Sequence, residues 1–231
     1  MKVKVKIIVG MWLLFATGAY AASALHHYTF DGSAVIDLVG AANGTLLNGA
    51  SVSLGKLNLD GVNDYVQFSQ HIIPTTGNFS VAFFAQELSP KTTWTEIISQ
   101  GYSGGPGFYV GTDPSHNLRI GDNLTSTGVP FPSDGLVHHY AVTKGVDTRL
   151  YVDGSLIRTF GSIGMTTGGS DTRLGCQFSY HGEYFNGNID DLYIFSGTLT
   201  AGEIAALAVI PEPATIAILA LGMLFTAAKK K

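Results

Sequence analysis

The sequence predicts an all-β domain built from two packed antiparallel sheets, set between two segments that serve export. Three observations carry that expectation. Short β-branched and aromatic runs recur along the middle of the 231-residue chain, each bounded by Gly, Asn, Asp or Pro. One stretch, HHYAVTKGVDTRLYVDGSLIRTF, has the alternation and turn chemistry of a three-stranded meander. Only one segment, near Leu199, has a helix-start signal.

Taken in order, strands are expected at 26–30, 44–47, 56–59, 65–68, 80–86, 96–99, 107–110 and 118–121. In the meander, Tyr140, Val142 and Lys144 alternate with Ala141 and Thr143, and a turn near Gly145 leads into 149–152. Asp153-Gly154 then supplies a two-residue turn with both positions left-handed, and 155–160 returns. Further strands are expected at 172–175 and 188–195. A helix over 199–207 follows, with Thr200 and Glu203 spaced as a capping box and Ile204 and Leu207 turned toward a sheet, covering one end of the sandwich. A dozen short strands with turn signals imply two packed sheets in one domain over residues 22–209.

The ends differ in composition from this body and inflate the 45% hydrophobic content. Lys2, Lys4 and Lys6, an apolar run over 7–18 and Ala19-Tyr20-Ala21 form the three parts of a secretory signal peptide over residues 1–21. At the other end, residues 214–228 are uncharged, a run shorter than the ~20 residues of a comfortable membrane span. Lys229, Lys230 and Lys231 favour the cytoplasmic side, as do the N-terminal lysines, so the body is expected to cross while both ends are held. Pro211 and Pro213 bracket Glu212 and keep the triplet extended just outside the bilayer.

Charge narrows the function classes. Between Ala22 and Ile210 there are seven basic residues against sixteen acidic ones, a net charge of −9 that the overall −4 conceals. An acidic body without a basic stripe argues against nucleic-acid binding. Cys176 is the lone cysteine, so no intramolecular disulfide forms, and no cysteine follows the leader to carry a lipid anchor.

Two resemblances add to this reading. The order of Pro-Glu-Pro, apolar helix and basic tail over 210–231 resembles the PEP-CTERM sorting signal of Gram-negative bacteria. That resemblance implies a transient inner-membrane intermediate, processing by an exosortase near the triplet, and delivery to the cell surface or an exopolysaccharide matrix. The segments HHYTFDGS, GAANGTLLNGASV, LNLDGVNDYVQFS, NFSVAFFAQ, LVHHYAVTKGVDTRLYVDGSLI and YFNGNIDDLYIFSGTLTAGEIAAL together resemble the laminin-G-like, concanavalin A-like jelly-roll domain. The likeness runs over about residues 26–208. In one departure, Leu136-Val137 stands where that family often carries an aromatic pair, a change expected to alter core packing.

Candidate site residues follow from chemistry. Glycoside hydrolysis in such folds needs paired carboxylates, commonly as E-x-D-x-E, and no such string occurs. No two of the body's Glu87, Glu96, Glu183 and Glu203 are expected to share a strand face, Glu203 falling in the helix, so a non-catalytic role is anticipated. Cys176 reads as a buried structural thiol, and His138-His139 would point to opposite faces and share no metal. His139 aligns with a family histidine of structural character. A structural calcium is an open expectation: if the first and last strands adjoin, as the resemblance implies, Asp31 meets Asp190 or Asp191. With strict alternation along 189–194, one aspartate of that pair would face an apolar layer or an edge. For polysaccharide or surface glycan, Trp94, Tyr102 and Tyr180 in loop-like segments are the candidate stacking platforms. The resemblance implies adhesion or polysaccharide binding, with a structural matrix component lacking a specific ligand as the alternative.

Overall fold

A computed structural model describes residues 22–101, 107–121, 126–165, 171–178 and 182–209. The leader, the tail with Pro211, Glu212, Pro213, Lys229, Lys230 and Lys231, and the candidates Tyr102 and Tyr180 lie outside the described residues.

Fourteen strands and one helix follow in chain order among the described residues. They are β1 (Ser23–Tyr28), β2 (Thr45–Leu47), β3 (Ser51–Ser53), β4 (Lys56–Asp60), β5 (Tyr65–Phe68), β6 (Phe79–Glu87) and β7 (Thr95–Gly101). Next come β8 (Phe108–Thr112), β9 (Leu118–Ile120), β10 (His138–Lys144), β11 (Asp147–Val152), β12 (Ser155–Gly161), β13 (Asp171–Leu174) and β14 (Asn186–Ser196), before α1 (Ala201–Leu207). The larger sheet has eight strands in the order β12-β11-β10-β6-β14-β4-β3, with β1 also beside β14. The smaller has six, β2-β5-β13-β7-β8-β9, and the strand pairings in both are antiparallel.

The core between the sheets explains the alternation. Phe79, Val81, Phe83 and Ala85 on β6, with Tyr140 and Val142 on β10, turn inward and are buried. Val66, Phe68, Ile98, Val110 and Leu174 meet them from the smaller sheet. Intervening β6 residues Ser80, Ala82, Phe84 and Gln86 therefore face outward from the larger sheet.

The meander matches expectation: β11 and β12 are joined by Asp153 and Gly154 at φ 48° and 75°. One strand was not anticipated. The β3–β4 hairpin also closes on two left-handed residues, Leu54 (φ 55°) and Gly55 (φ 72°). Leucine is a poor residue for that conformation, so the sequence carries no turn signal there.

The helix begins as its sequence predicts, with the Thr200 hydroxyl accepting from the Glu203 N–H and the Glu203 carboxylate accepting from the Thr200 N–H at 2.7 Å. Its placement differs from the expectation of an end cover. Ile204 and Leu199 pack with Ala82, Ala141, Tyr151 and Phe195, so α1 lies on the outward face of the larger sheet. The small side chains Ala82 and Ala141 leave room on that face for a helix.

Candidate functional site

Beside α1, the same outward face holds a pocket of about 380 Å³. Its floor comes from two neighbouring strands. Gln86 and Phe84 on β6 stand directly opposite Asn188 and Asp190 on β14, so all four side chains leave the same face. The Asn188 amide donates to Gln86 Oε1 at 3.0 Å, and Gln86 Nε2 donates to the Gly135 carbonyl at 2.6 Å. One wall is the Leu54-Gly55 turn with Lys56, another is Thr29 and Asp31 just after β1, and Val137 closes the side before β10.

The segment carrying Val137 is pinned at both ends. His138 lies between two carboxylates, with Nδ1 2.8 Å from Asp153 Oδ2 and Nε2 3.1 Å from Asp134 Oδ1. Burial alone would lower the His138 pKa, but Asp153 and Asp134 raise it above its ordinary value. Leu136 and Val137 are both exposed and Val137 lines the pocket, so the departure from the family pattern does not alter core packing in the way the sequence led one to expect.

Asp31, Asp190 and Asp191 all line this pocket, as the adjacency of β1 and β14 required. The expected conflict between an aspartate and an apolar layer does not arise, because β14 carries a β-bulge. Asp190 pairs with Phe84 and Tyr193 with Ala82, so Asp191 and Leu192 together oppose Phe83. Asp191 takes φ 43°, and its N–H donates to Asp190 Oδ1 at 2.7 Å. The extra residue resets the alternation: Ile189, Leu192 and Ile194 are buried in the core, while both carboxylates reach the pocket.

These carboxylates have distinct surroundings. Asp191 Oδ1 lies 3.2 Å from His27 Nε2, whose ring stacks on Tyr193 with centroids 3.7 Å apart. Burial and then the charges of Asp191 and Asp31 push Asp190 up to about 7, against smaller opposing pulls from the Asp191 N–H and Lys56. As a calcium site the trio fits incompletely. Among the described residues no three such ligands are arranged to hold a metal ion, and an ammonium group, Lys56, shares the pocket.

Phe84 separates this pocket from a smaller groove of about 170 Å³ reaching Leu207 on α1. His139 lines that groove, edge-on to Phe84 at 5.0 Å, with burial lowering its pKa to about 4. That neutral, packed histidine fits the structural role expected of it.

Trp94 lies elsewhere, at the smaller sheet. Its ring covers the Arg119 guanidinium at 4.6 Å, and Tyr109 takes the same guanidinium at 4.4 Å. Arg119 Nη1 lies 2.5 Å from Glu96 Oε1 and 2.9 Å from Glu183 Oε2. Separate strand faces therefore did not keep these two glutamates apart: the segment before β14 runs beside β7, with the Glu96 N–H donating to the Glu183 carbonyl at 2.8 Å. Cys176 is buried and its thiol is pushed up to about 11 by burial. The string GYSGG at 101–105 has the G-x-S-x-G spacing of a serine nucleophile, a match the sequence reading passed over. Its residues 102–105 lie outside the described residues.

Sequence reasoning missed Phe84, Gln86, Asn188, Lys56 and Leu54. A signal existed in FSVAFFAQE, where Phe84 is an aromatic residue at an outward position.

The fold and site define a two-sheet antiparallel sandwich with a mixed polar and aromatic pocket on one sheet face. Residues 60–205 match the family described as the concanavalin A-like lectin/glucanases superfamily, and the chain belongs to it. Residues 209–231 match the PEP-CTERM protein-sorting motif, which marks the chain for export and for surface or extracellular delivery in a Gram-negative bacterium. No curated protein matches the sequence. Among solved structures, domain 4 of an extracellular arabinanase from Geobacillus stearothermophilus, in complex with arabinotriose, is 19% identical with a TM-score of 0.67. That match covers 81% of this chain and 98% of the domain. Trypanosoma rangeli sialidase in complex with sialic acid is 14% identical with a TM-score of 0.64, over 80% of this chain and 32% of the sialidase. A structure of botulinum neurotoxin type C, whose cell entry depends on two ganglioside molecules, is 16% identical with a TM-score of 0.62, over 80% of this chain and 50% of that one. At these identities the likeness is one of fold.

Proposed function

We propose that the mature domain is a non-catalytic glycan-binding module of the cell surface or extracellular matrix, and that it binds in the pocket floored by Phe84, Gln86, Asn188 and Asp190. The Sec route delivers it, and an exosortase releases it near Pro211-Glu212-Pro213 from a transient inner-membrane intermediate. The observation that carries the reading is the pocket itself. It has the size of a small-ligand site, with a ring at its floor and carboxylate, amide and ammonium groups around it. The arabinotriose and sialic acid held in the similar structures support a glycan as the ligand class. Against hydrolysis stands the Arg119 guanidinium, which ties up the two glutamates that come together.

The test is a glycan array with the secreted domain and three variants. Binding in the micromolar range is expected, weakened at least about tenfold by Lys56→Ala and by Asp31→Asn, and unchanged by Trp94→Ala on the other sheet. Both pocket variants alter side chains that are partly or fully exposed, so the fold is retained. A blank array favours the structural matrix component without a ligand, and release of reducing sugar establishes an enzyme.

A further inference from the structure

Three features of the pocket bear on what kind of sugar it takes, given the glycan reading above. The first is charge. Asp31, Asp190 and Asp191 face the cavity and Lys56 is the single cation lining it among the described residues, so an acidic sugar would enter a field set by an excess of carboxylates. The second is hydrogen-bonding capacity. Asp190 Oδ1 already accepts the Asp191 N–H, whereas Oδ2 and both oxygens of the exposed Asp31 take no hydrogen bond from the described residues. A ligand can therefore supply donors, O–H or N–H, to these oxygens, and Lys56 can supply one to it.

The third feature is the lip. Leu54 is 93% exposed and holds φ 55°, in a turn where Asp153 occupies the equivalent position of the β11–β12 hairpin. A leucine there carries backbone strain and leaves its side chain in water, and neither cost serves the hairpin. Val137, 39% exposed, gives the pocket a second apolar edge. An apolar substituent on the ligand, lying against Leu54, would account for that exposed side chain.

We propose that the pocket selects uncharged sugars bearing an N-acetyl group, the N-acetylhexosamines, and rejects uronic acids. The amide N–H donates to Asp190 or Asp31, the carbonyl accepts from the Lys56 ammonium, and the methyl lies against Leu54. Anionic sugars lose affinity to the three aspartates.

The experiment titrates the secreted domain with methyl glycosides in matched sets: 2-acetamido, unsubstituted and uronate, each in the gluco and galacto series. Within at least one series the acetamido sugar is expected to bind about tenfold tighter than the unsubstituted one, and the uronate not measurably. Leu54→Asn suits the turn better than leucine, so its melting midpoint is expected to hold or rise while the acetamido preference over the unsubstituted sugar falls severalfold. Uronate binding equal to or tighter than the acetamido sugar, or an acetamido preference unaffected by Leu54→Asn, overturns the inference. If unsubstituted sugars or uronates bind as tightly as the acetamido sugars and Lys56→Ala abolishes that binding, the glycan reading stands and this selectivity fails. If none of the six binds, both fail.

Discussion

Replacing Asp190 by asparagine tests the electrostatics of the pocket without touching the backbone. In the folded protein the Asp190 carboxyl titrates at about 7, against an ordinary value of 3.8, because it is buried beside Asp191 and Asp31. A rise of that size corresponds to at most about 4 kcal/mol of differential stability. The side chain is only half-buried, so solvent screening reduces this to about 2 kcal/mol. The sign follows from proton linkage: the folded state holds this proton more tightly than the unfolded chain does. Stability from this group is thus full below about pH 4 and is lost as pH rises toward about 7. Asparagine cannot ionise, and its side-chain oxygen can still accept the Asp191 N–H. Urea unfolding is the assay, with wild type and Asp190→Asn compared at about pH 4 and about pH 8. Glu87, pushed up to about 7 by its own burial, slopes the same way in both proteins and cancels in the difference. The variant is expected to match wild type at the acid end and to exceed it by about 2 kcal/mol at the alkaline end. An equal difference at both pH values would refute the crowding of carboxylates on which the site description rests.

Three further outcomes are expected. Asp37 accepts from the backbone N–H groups of His27, Val39, Gly40 and Ala42 and lies 2.6 Å from His26 Nδ1. Burial would raise it, but those partners hold it at about 2. Asp37→Ala should therefore cost about 3 kcal/mol in chemical unfolding near neutral pH, and a loss below about 1 would contradict this loop's account. Calcium among Asp31, Asp190 and Asp191 is a proposal that chelation decides: a resident ion holds the melting midpoint several degrees above that of EDTA-treated protein, and coincident melts withdraw it. Mass spectrometry of the mature protein is expected to find a C-terminus near Pro211-Glu212-Pro213, and a terminus still at Lys231 would mean a retained anchor.

Much of the fold was legible because the strands alternate and their turns carry Gly, Asn or Asp. The β10–β12 meander and the Thr200 capping box were read from a few residues each. The β3–β4 hairpin was not, since Leu54 occupies a left-handed position that gives no turn signal. The site was legible only in part, for reasons of long-range pairing. Asp31, Asp190 and Asp191 were named together because the ends of the domain adjoin, but the bulge that turns both aspartates outward depends on the register of β14 against β6. Phe84, Gln86 and Asn188 become neighbours only through that register. Trp94 was chosen as an exposed loop aromatic, yet its ring lies over Arg119, a partner 25 positions later in the chain, which local sequence cannot reveal.

The most direct test maps a bound sugar by amide chemical shifts. With the isotopically labelled domain and the tightest-binding glycan from the array, shifts are expected at Gln86, Asn188, Asp190 and the Leu54-Gly55 turn, with Trp94, Tyr109 and Arg119 unmoved. Shifts centred on Trp94 and Arg119, with the Leu54-Gly55 turn silent, would place binding on the smaller sheet and contradict the account.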